Sequence, residues 1–182
     1  MNMKRRSARG LDPGGWHGDP RRRGSLRAWL REPGSLTARL RRFGDTTVSR
    51  LREGRAAPNR DERWMPKIRR GADVMRREVV LKVDDRPWVF AHTLANREGV
   101  RLLRRAGRRA LAIVLFADPR VQAGPLYFRE LDARHPLYRS ARPWCGEHAP
   151  SRMCARRAVF RRGRAWLLVT EVFLPAILES GS

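Results

Sequence analysis

Two ionisable residues of this chain sit inside apolar strand-like runs, where a charge is costly. Glu171 stands in the middle of Trp166-Leu167-Leu168-Val169-Thr170-Glu171-Val172-Phe173-Leu174-Pro175. An ionised carboxylate taken out of water needs a partner, so a carboxylate kept in such a run suggests a use. Counted in twos, Glu171 shares a face with Leu167, Val169 and Phe173, while Trp166, Leu168, Thr170 and Val172 take the other, and neither face reads as solvated. Arg77 is placed the same way, in phase with Val79, Leu81 and Val83. A guanidinium and a carboxylate projecting into one dry cleft would bind a small acid that also carries an oxygen function. Two plainer readings compete: Glu171 on a half-exposed strand, or a buried Arg77–Glu171 pair that only holds strands together.

Other constellations carry less. Cys145, His148 and Cys154 could supply three metal ligands, but a fourth is missing and the spacing fits no common zinc motif, so no metal is expected. His92, next to Thr93, could line the same cleft as Arg77, although a hydrogen-bonded wall histidine is the commoner case. A Gly-rich phosphate loop, a serine elbow and a kinase set are all absent, so nucleotide-dependent chemistry has no support.

The elements that must position these residues follow from local pattern. Residues 1–24 are rich in Arg, Gly, Pro and Asp around an isolated Trp16 and are expected to form a disordered basic tail ahead of a domain over 25–178. Leu26, Trp29 and Leu30 suit a short helix broken at Pro33-Gly34, and Ser35 can cap a second helix bearing Leu36, Leu40 and Phe43 and ending at Gly44. A strand near Thr46 to Leu51 leads into a polar connection that includes Trp64 and Met65. Arg77–Val83 and Trp88–Leu94 alternate around the turn Asp84-Asp85-Arg86-Pro87, which predicts an antiparallel hairpin. Asn96 caps a helix running to about Ala106, and Gly107 stops it. A compact apolar segment covers Leu111 to Phe116. The stretch 117–151, with Pro119, Pro125, Pro136, Pro143 and Pro150, reads as loops with a helix or two and a mobile cover. Ala155–Phe160, a turn at Arg161–Arg164 and Ala165–Leu174 make a second hairpin. Hairpins with helices outside the sheet give an α+β domain with a mainly antiparallel sheet.

Composition bounds the partner. At 182 residues the chain can bury a core without disulfides or metal. No apolar stretch reaches the ~18 residues of a membrane span and no signal peptide is evident, so a cytoplasmic protein with Cys145 and Cys154 reduced is expected. The formal charge of +23 points to an acidic partner. Of 41 basic residues only Lys4, Lys67 and Lys82 are lysine, leaving 38 arginines, a bias that codon supply alone can produce. They are spread along the chain with no helix-turn-helix, zinc-finger or RNP pattern, so no specific nucleic acid is expected.

The ordered set Trp29-Leu30, Gly34-Ser35-Leu36-Thr37, Arg77-Glu78-Val79-Val80-Leu81, Pro87-Trp88-Val89, Ala91-His92-Thr93, Leu115-Phe116, Ala155-Arg156-Arg157-Ala158-Val159-Phe160 and Leu167 to Pro175 resembles the chorismate lyase family of bacterial ubiquinone biosynthesis, over about residues 25–178. The resemblance implies a cofactor-independent enzyme that converts chorismate to 4-hydroxybenzoate and pyruvate, with flap-like loops over an internal ligand pocket. It puts Arg77 on the ring carboxylate, Glu171 beside the ring oxygen, and the backbone of Leu111 and of the region of Arg50 against the ligand. The chain departs from the family pattern at Ala110-Leu111-Ala112 (often Pro-Leu-Gly), His92 (Arg expected), Ala158 (Ser) and Met75 (an aromatic). The same fold also occurs in small-acid-binding domains of transcription regulators, which makes a non-catalytic sensor the alternative and a basic nucleic-acid-associated protein the third reading. A monomer is expected, and the basic surface could dock on an anionic membrane.

Overall fold

In a computed structural model of the chain, residues 11–12, 15–63, 74–107, 109–147 and 149–179 are described. The chain order is β1 (Leu11–Asp12), β2 (Trp16–His17), α1 (Gly24–Leu30), α2 (Leu36–Leu40), β3 (Thr46–Ala56), β4 (Val74–Val83) and β5 (Arg86–Ala95). It continues with α3 (Val100–Ala106), α4 (Leu111–Ala117), β6 (Gln122–Ala123), β7 (Tyr127–Leu131) and α5 (Pro136–Ala141) with a 3₁₀ turn at Arg142–Trp144. Last come β8 (Met153–Arg162), β9 (Ala165–Phe173) and α6 (Ala176–Glu179).

Two tight turns set the register of the sheet. Asp84 and Asp85 both adopt positive φ, 47° and 61°, as a two-residue turn demands when its twist must match the strands it joins. They place Val83 opposite Arg86. Gly163, at φ 56°, serves the β8–β9 turn and sets Arg162 opposite Ala165. The two hairpins join edge to edge through β5 and β9, and the sheet runs β1-β2-β7-β8-β9-β5-β4-β3, antiparallel at each step, with β6 also on β8.

Alternation along these strands divides the sheet into two faces. The front carries Val79, Leu81, Val89 and Phe173, which pack with Trp29, Leu30, Leu36, Leu40 and Ile177 of α1, α2 and α6. Farther along the same face Ala95, Ala158, Phe160 and Leu167 pack with Leu102, Leu103 and Leu115 of α3 and α4. Ser35 caps α2 by accepting from the Ala38 amide, and Gly107, at φ 54°, ends α3. Gly99 lets α3 approach the sheet: a Cβ there would lie 2.5 Å from the Trp166 carbonyl oxygen. The back carries Val80, Phe90, Val172 and Ala155, which pack with Leu137, Tyr138 and Ala141 of α5.

The tail departs from expectation. Trp16 is fully buried in the back-face cluster, its Nε1 donates to Asp61 Oδ2 at 2.9 Å, and its strand pairs with β7 through His17 and Phe128. A large apolar ring gains more by covering the sheet than by remaining in water, so the segment around Trp16 packs against the domain instead of standing off from it. Residues 1–10, and Trp64 and Met65, lie outside the described residues. The strand expected near Thr46 to Leu51 extends to Ala56, the apolar segment at Leu111 is helical, and the Pro-rich stretch contributes strand β7 to the sheet.

Candidate active site

Between the two groups of front-face helices lies a cavity bordered by Arg77, Val79, Ala91, Thr93, Val169 and Glu171 from the sheet and by Leu36, Thr37, Leu111, Leu115 and Phe116 from the helices. Its wall is mostly apolar, and the polar side chains on it are Thr37, Arg77, Thr93, Arg156 and Glu171. Strand register fixes how they are arrayed. Arg77 is opposite Thr93, which is opposite Val169; Glu171 is opposite Ala91 on one side and Arg156 on the other. Two strand spacings of ~4.8 Å and two residues of ~3.4 Å put Arg77 and Glu171 about 12 Å apart at Cα, on the same face of the sheet.

Arg77 is held from behind. It is 2% exposed, its Nη1 donates to the Leu103 carbonyl at 3.3 Å and its Nη2 to the Arg109 carbonyl at 3.0 Å. A guanidinium has five N–H groups, so these bonds to α3 and the loop after it orient the fork and leave donors for a ligand. Burial lowers its pKa from the ordinary value, with Glu53 opposing and Arg50 adding to the fall.

Glu171 is not paired with Arg77. Its Oε2 accepts from Arg156 Nε at 2.6 Å, and Arg156, 1% exposed, also donates through Nη1 to the carbonyls of Trp29 (3.4 Å), Leu30 (3.3 Å) and Glu32 (2.8 Å) at the end of α1. This corrects the reading of a buried Arg77–Glu171 pair that only holds strands together: both side chains border one cavity, and the partner of Glu171 is Arg156. Arg156 was missed because arginine in an arginine-rich chain reads as solvated, yet a two-residue turn at Gly163-Arg164 places it opposite Glu171 by counting alone.

Of the remaining sequence candidates, Leu111 opens α4 and borders the cavity together with Ala110 and Ala112. Arg50 does not. It lies on β3 opposite Val79 with its side chain half exposed, 3.5 Å from Glu53. His92 is not a wall of this cleft either, because alternation turns it to the back face. There Nδ1 lies 3.0 Å from Glu78 Oε1 and Nε2 lies 3.1 Å from Glu62 Oε1, and although burial alone would lower its pKa, the two carboxylates raise it to about 9. Beside it Asp61 Oδ2 takes Trp16 Nε1, His135 Nε2 at 3.3 Å and Arg157 Nη1 at 3.3 Å, and these partners outweigh burial to bring Asp61 down to about 2.

Cys145 and Cys154 are free thiols, each with its pKa raised by burial; His148 is outside the described residues, and among the described residues no cluster of three potential metal ligands occurs. Among them, too, no helix is long and apolar enough to cross a membrane.

The arrangement is an apolar cavity bordered by one guanidinium, Arg77, and about 12 Å away by the Arg156–Glu171 ion pair. The family model for chorismate lyase matches residues 22–181. The chain belongs to the chorismate lyase family. It is 45% identical to a probable chorismate pyruvate-lyase of Ralstonia nicotianae, covering 82% of this chain and 80% of that protein. Against the probable chorismate pyruvate-lyase of Aromatoleum aromaticum it is 43% identical, covering 88% of this chain and 90% of the relative. Among solved structures the fold is similar to the effector domain of PhnF from Mycobacterium smegmatis, with a TM-score of 0.55 and 17% identity over 79% of this chain and 90% of that one. It is similar as well to the C-terminal domain of the histidine utilization repressor of Pseudomonas syringae, with a TM-score of 0.54 and 12% identity over 72% of this chain and 93% of that one. Those two likenesses concern the fold alone. Membership in the chorismate lyase family makes the chain a lyase with chorismate as its small-molecule substrate.

Proposed function

We propose that the chain converts chorismate to 4-hydroxybenzoate and pyruvate without a cofactor, at the front-face cavity, as the entry step of ubiquinone biosynthesis. The observation that carries this reading is the placement of Arg77 and the Arg156–Glu171 pair at opposite ends of one apolar slot. Arg77 takes the ring carboxylate through charge-assisted hydrogen bonds and fixes the ring, with the Leu111 end of α4 over it. Glu171 then stands at the ring oxygens.

Atoms balance when the bond between the ring and the ether oxygen breaks. The ether oxygen leaves with the three-carbon fragment, the ring carbon bearing the hydroxyl gives up its proton, and the ring becomes aromatic with that hydroxyl retained. Protonation of the fragment's methylene carbon makes pyruvate. Charge is separated as the bond breaks, and the ring turns electron-poor. A carboxylate beside it stabilises that charge, can take the ring proton and can return it to the methylene carbon. Such an interaction is stronger in the transition state than in the ground state, so it acts on turnover. Arg50, lying outside the cavity wall, would act on the ligand only through its field at Arg77.

The test is the purified protein with chorismate, with and without chelator, followed for 4-hydroxybenzoate and pyruvate in equal amounts. Chelator-insensitive formation of both supports the lyase. Binding of 4-hydroxybenzoate with no turnover would make the domain a sensor instead.

A further inference from the structure

Chorismate carries two carboxylates, one on the ring and one on the fragment that leaves. The lyase reading matches the first with Arg77, and a second carboxylate entering a mostly apolar slot also needs a cation. Among the described residues the cavity wall holds one further cation, Arg156. Its Nε is occupied by Glu171 and its Nη1 by the carbonyls of Trp29, Leu30 and Glu32, while Nη2 donates to no acceptor among the described residues. The carbonyls that hold it lie at the end of α1 and just after it, and the connection and the first turn of α2 bring Gly34, Leu36 and Thr37 to the same cavity.

We propose that Arg156 Nη2, beside Gly34–Thr37, is a second anion subsite that takes the carboxylate of the departing three-carbon fragment. The assignment rests on the lyase reading. One guanidinium then touches Glu171 through Nε and the fragment through Nη2, which keeps the methylene carbon near the carboxylate that must return a proton to it. As the ether bond breaks, negative charge moves onto the fragment, and its hold on Arg156 strengthens at the same moment. A three-carbon fragment lacking the carboxylate would forgo this anchor.

Two probes separate the subsites: 4-hydroxybenzoate, with the ring carboxylate alone, and 3-(carboxymethoxy)-4-hydroxybenzoate, which adds a carboxylate where the fragment sits. By calorimetry the unaltered protein is expected to bind the dicarboxylate roughly 10-fold more tightly, the size of one charge-assisted contact. Arg156→Lys, which keeps a cation opposite Glu171, is expected to lose most of that gain and to lower kcat/KM for chorismate, with 4-hydroxybenzoate affinity changed by no more than about 3-fold. Equal weakening of both probes would reduce Arg156 to a positioning residue for Glu171 and overturn the subsite. Should Arg156→Lys fail to fold, the comparison of the two probes on the unaltered protein still decides: no gain from the added carboxylate overturns the inference. A protein that turns chorismate over but shows no gain fails the subsite alone. One that neither turns it over nor binds 4-hydroxybenzoate fails the lyase reading, and the subsite with it.

Discussion

Arg156 Nε and Glu171 Oε2 meet at 2.6 Å across one rung of the β8–β9 ladder, and the carboxylate faces the same cavity as Arg77 from two strands away. The pair makes Glu171 a hydrogen-bond acceptor aimed by its neighbour, which suits a base and a stabiliser of positive charge. Glu171→Gln keeps the size of the side chain and an acceptor oxygen for Arg156 but removes the negative charge. Turnover is expected to fall on the order of 100-fold, with 4-hydroxybenzoate affinity changed far less. Steady-state kinetics alongside calorimetry checks this, and unchanged kcat would remove Glu171 from the chemistry.

Arg77→Ala should act on binding. The substitution deletes the charge-assisted contact to the ring carboxylate and leaves the Leu103 and Arg109 carbonyls without their donor. Affinity for both chorismate and 4-hydroxybenzoate is expected to drop by about 2–3 kcal/mol, or roughly 30- to 150-fold. Arg77→Lys should recover little of this, because a single ammonium cannot reach two carbonyls and a carboxylate in the same plane. Equal affinities in Arg77→Ala and the unaltered protein would place the ring carboxylate elsewhere.

What could be read from the residues was what is local. Asp84-Asp85 and the Gly163 turn announce their hairpins because a tight turn needs particular φ angles, and Ser35 and Gly107 mark helix ends for the same kind of reason. Arg77 and Glu171 stood out as candidates from strand phase and Leu111 from the family resemblance, and all three border the cavity. Pairing between distant segments was not visible. Nothing near Trp16 announces Asp61 and Arg157 as its neighbours, and nothing in Tyr127–Leu131 announces β8. In Arg156-Arg157 alternation sends one guanidinium to the cavity and the other to the back-face network, a split that charge counting hides. His92 beside Thr93 misleads likewise: adjacent strand residues face opposite ways, so the residue next to a cavity wall is the one that cannot line it.

The back face predicts a dependence on pH. His92 is charged between Glu62 and Glu78, with its pKa raised from 6.5 to about 9. A raised pKa contributes stability that is full below the ordinary histidine range and is lost as pH climbs through about 9; for this shift the contribution is on the order of 3 kcal/mol. Denaturant melts between pH 6 and pH 10 should therefore show stability falling from the ordinary histidine range up to about pH 9 and levelling above it, and His92→Gln should be less stable at pH 6 and flatter across the range. Asp61 contributes in the opposite sense. With its pKa lowered to about 2, it adds stability above the ordinary carboxylate range that disappears as pH falls through about 2. A stability curve of His92→Gln parallel to that of the unaltered protein from pH 6 to 10 would rule out the network as its source.

Trp16 tests where the domain begins. The ring is 0% exposed, packs with Leu131, Leu137 and Val172, lies with Arg157 4.4 Å from its centroid and hydrogen-bonds Asp61. A tail residue could be removed at no cost to folding. A packed one could not: truncating a buried tryptophan to alanine costs about 3–5 kcal/mol, and here it also takes a donor from a buried carboxylate. Trp16→Ala is expected to lower the urea midpoint with little change in slope, whereas Trp16→Phe, which keeps the ring but not the N–H, should recover most of the loss. Because Trp16 lies on the face away from the cavity, the folded Trp16→Phe protein should keep its kcat and KM for chorismate. A Trp16→Ala protein as stable as the unaltered chain would return residues before 25 to the status of a dispensable tail.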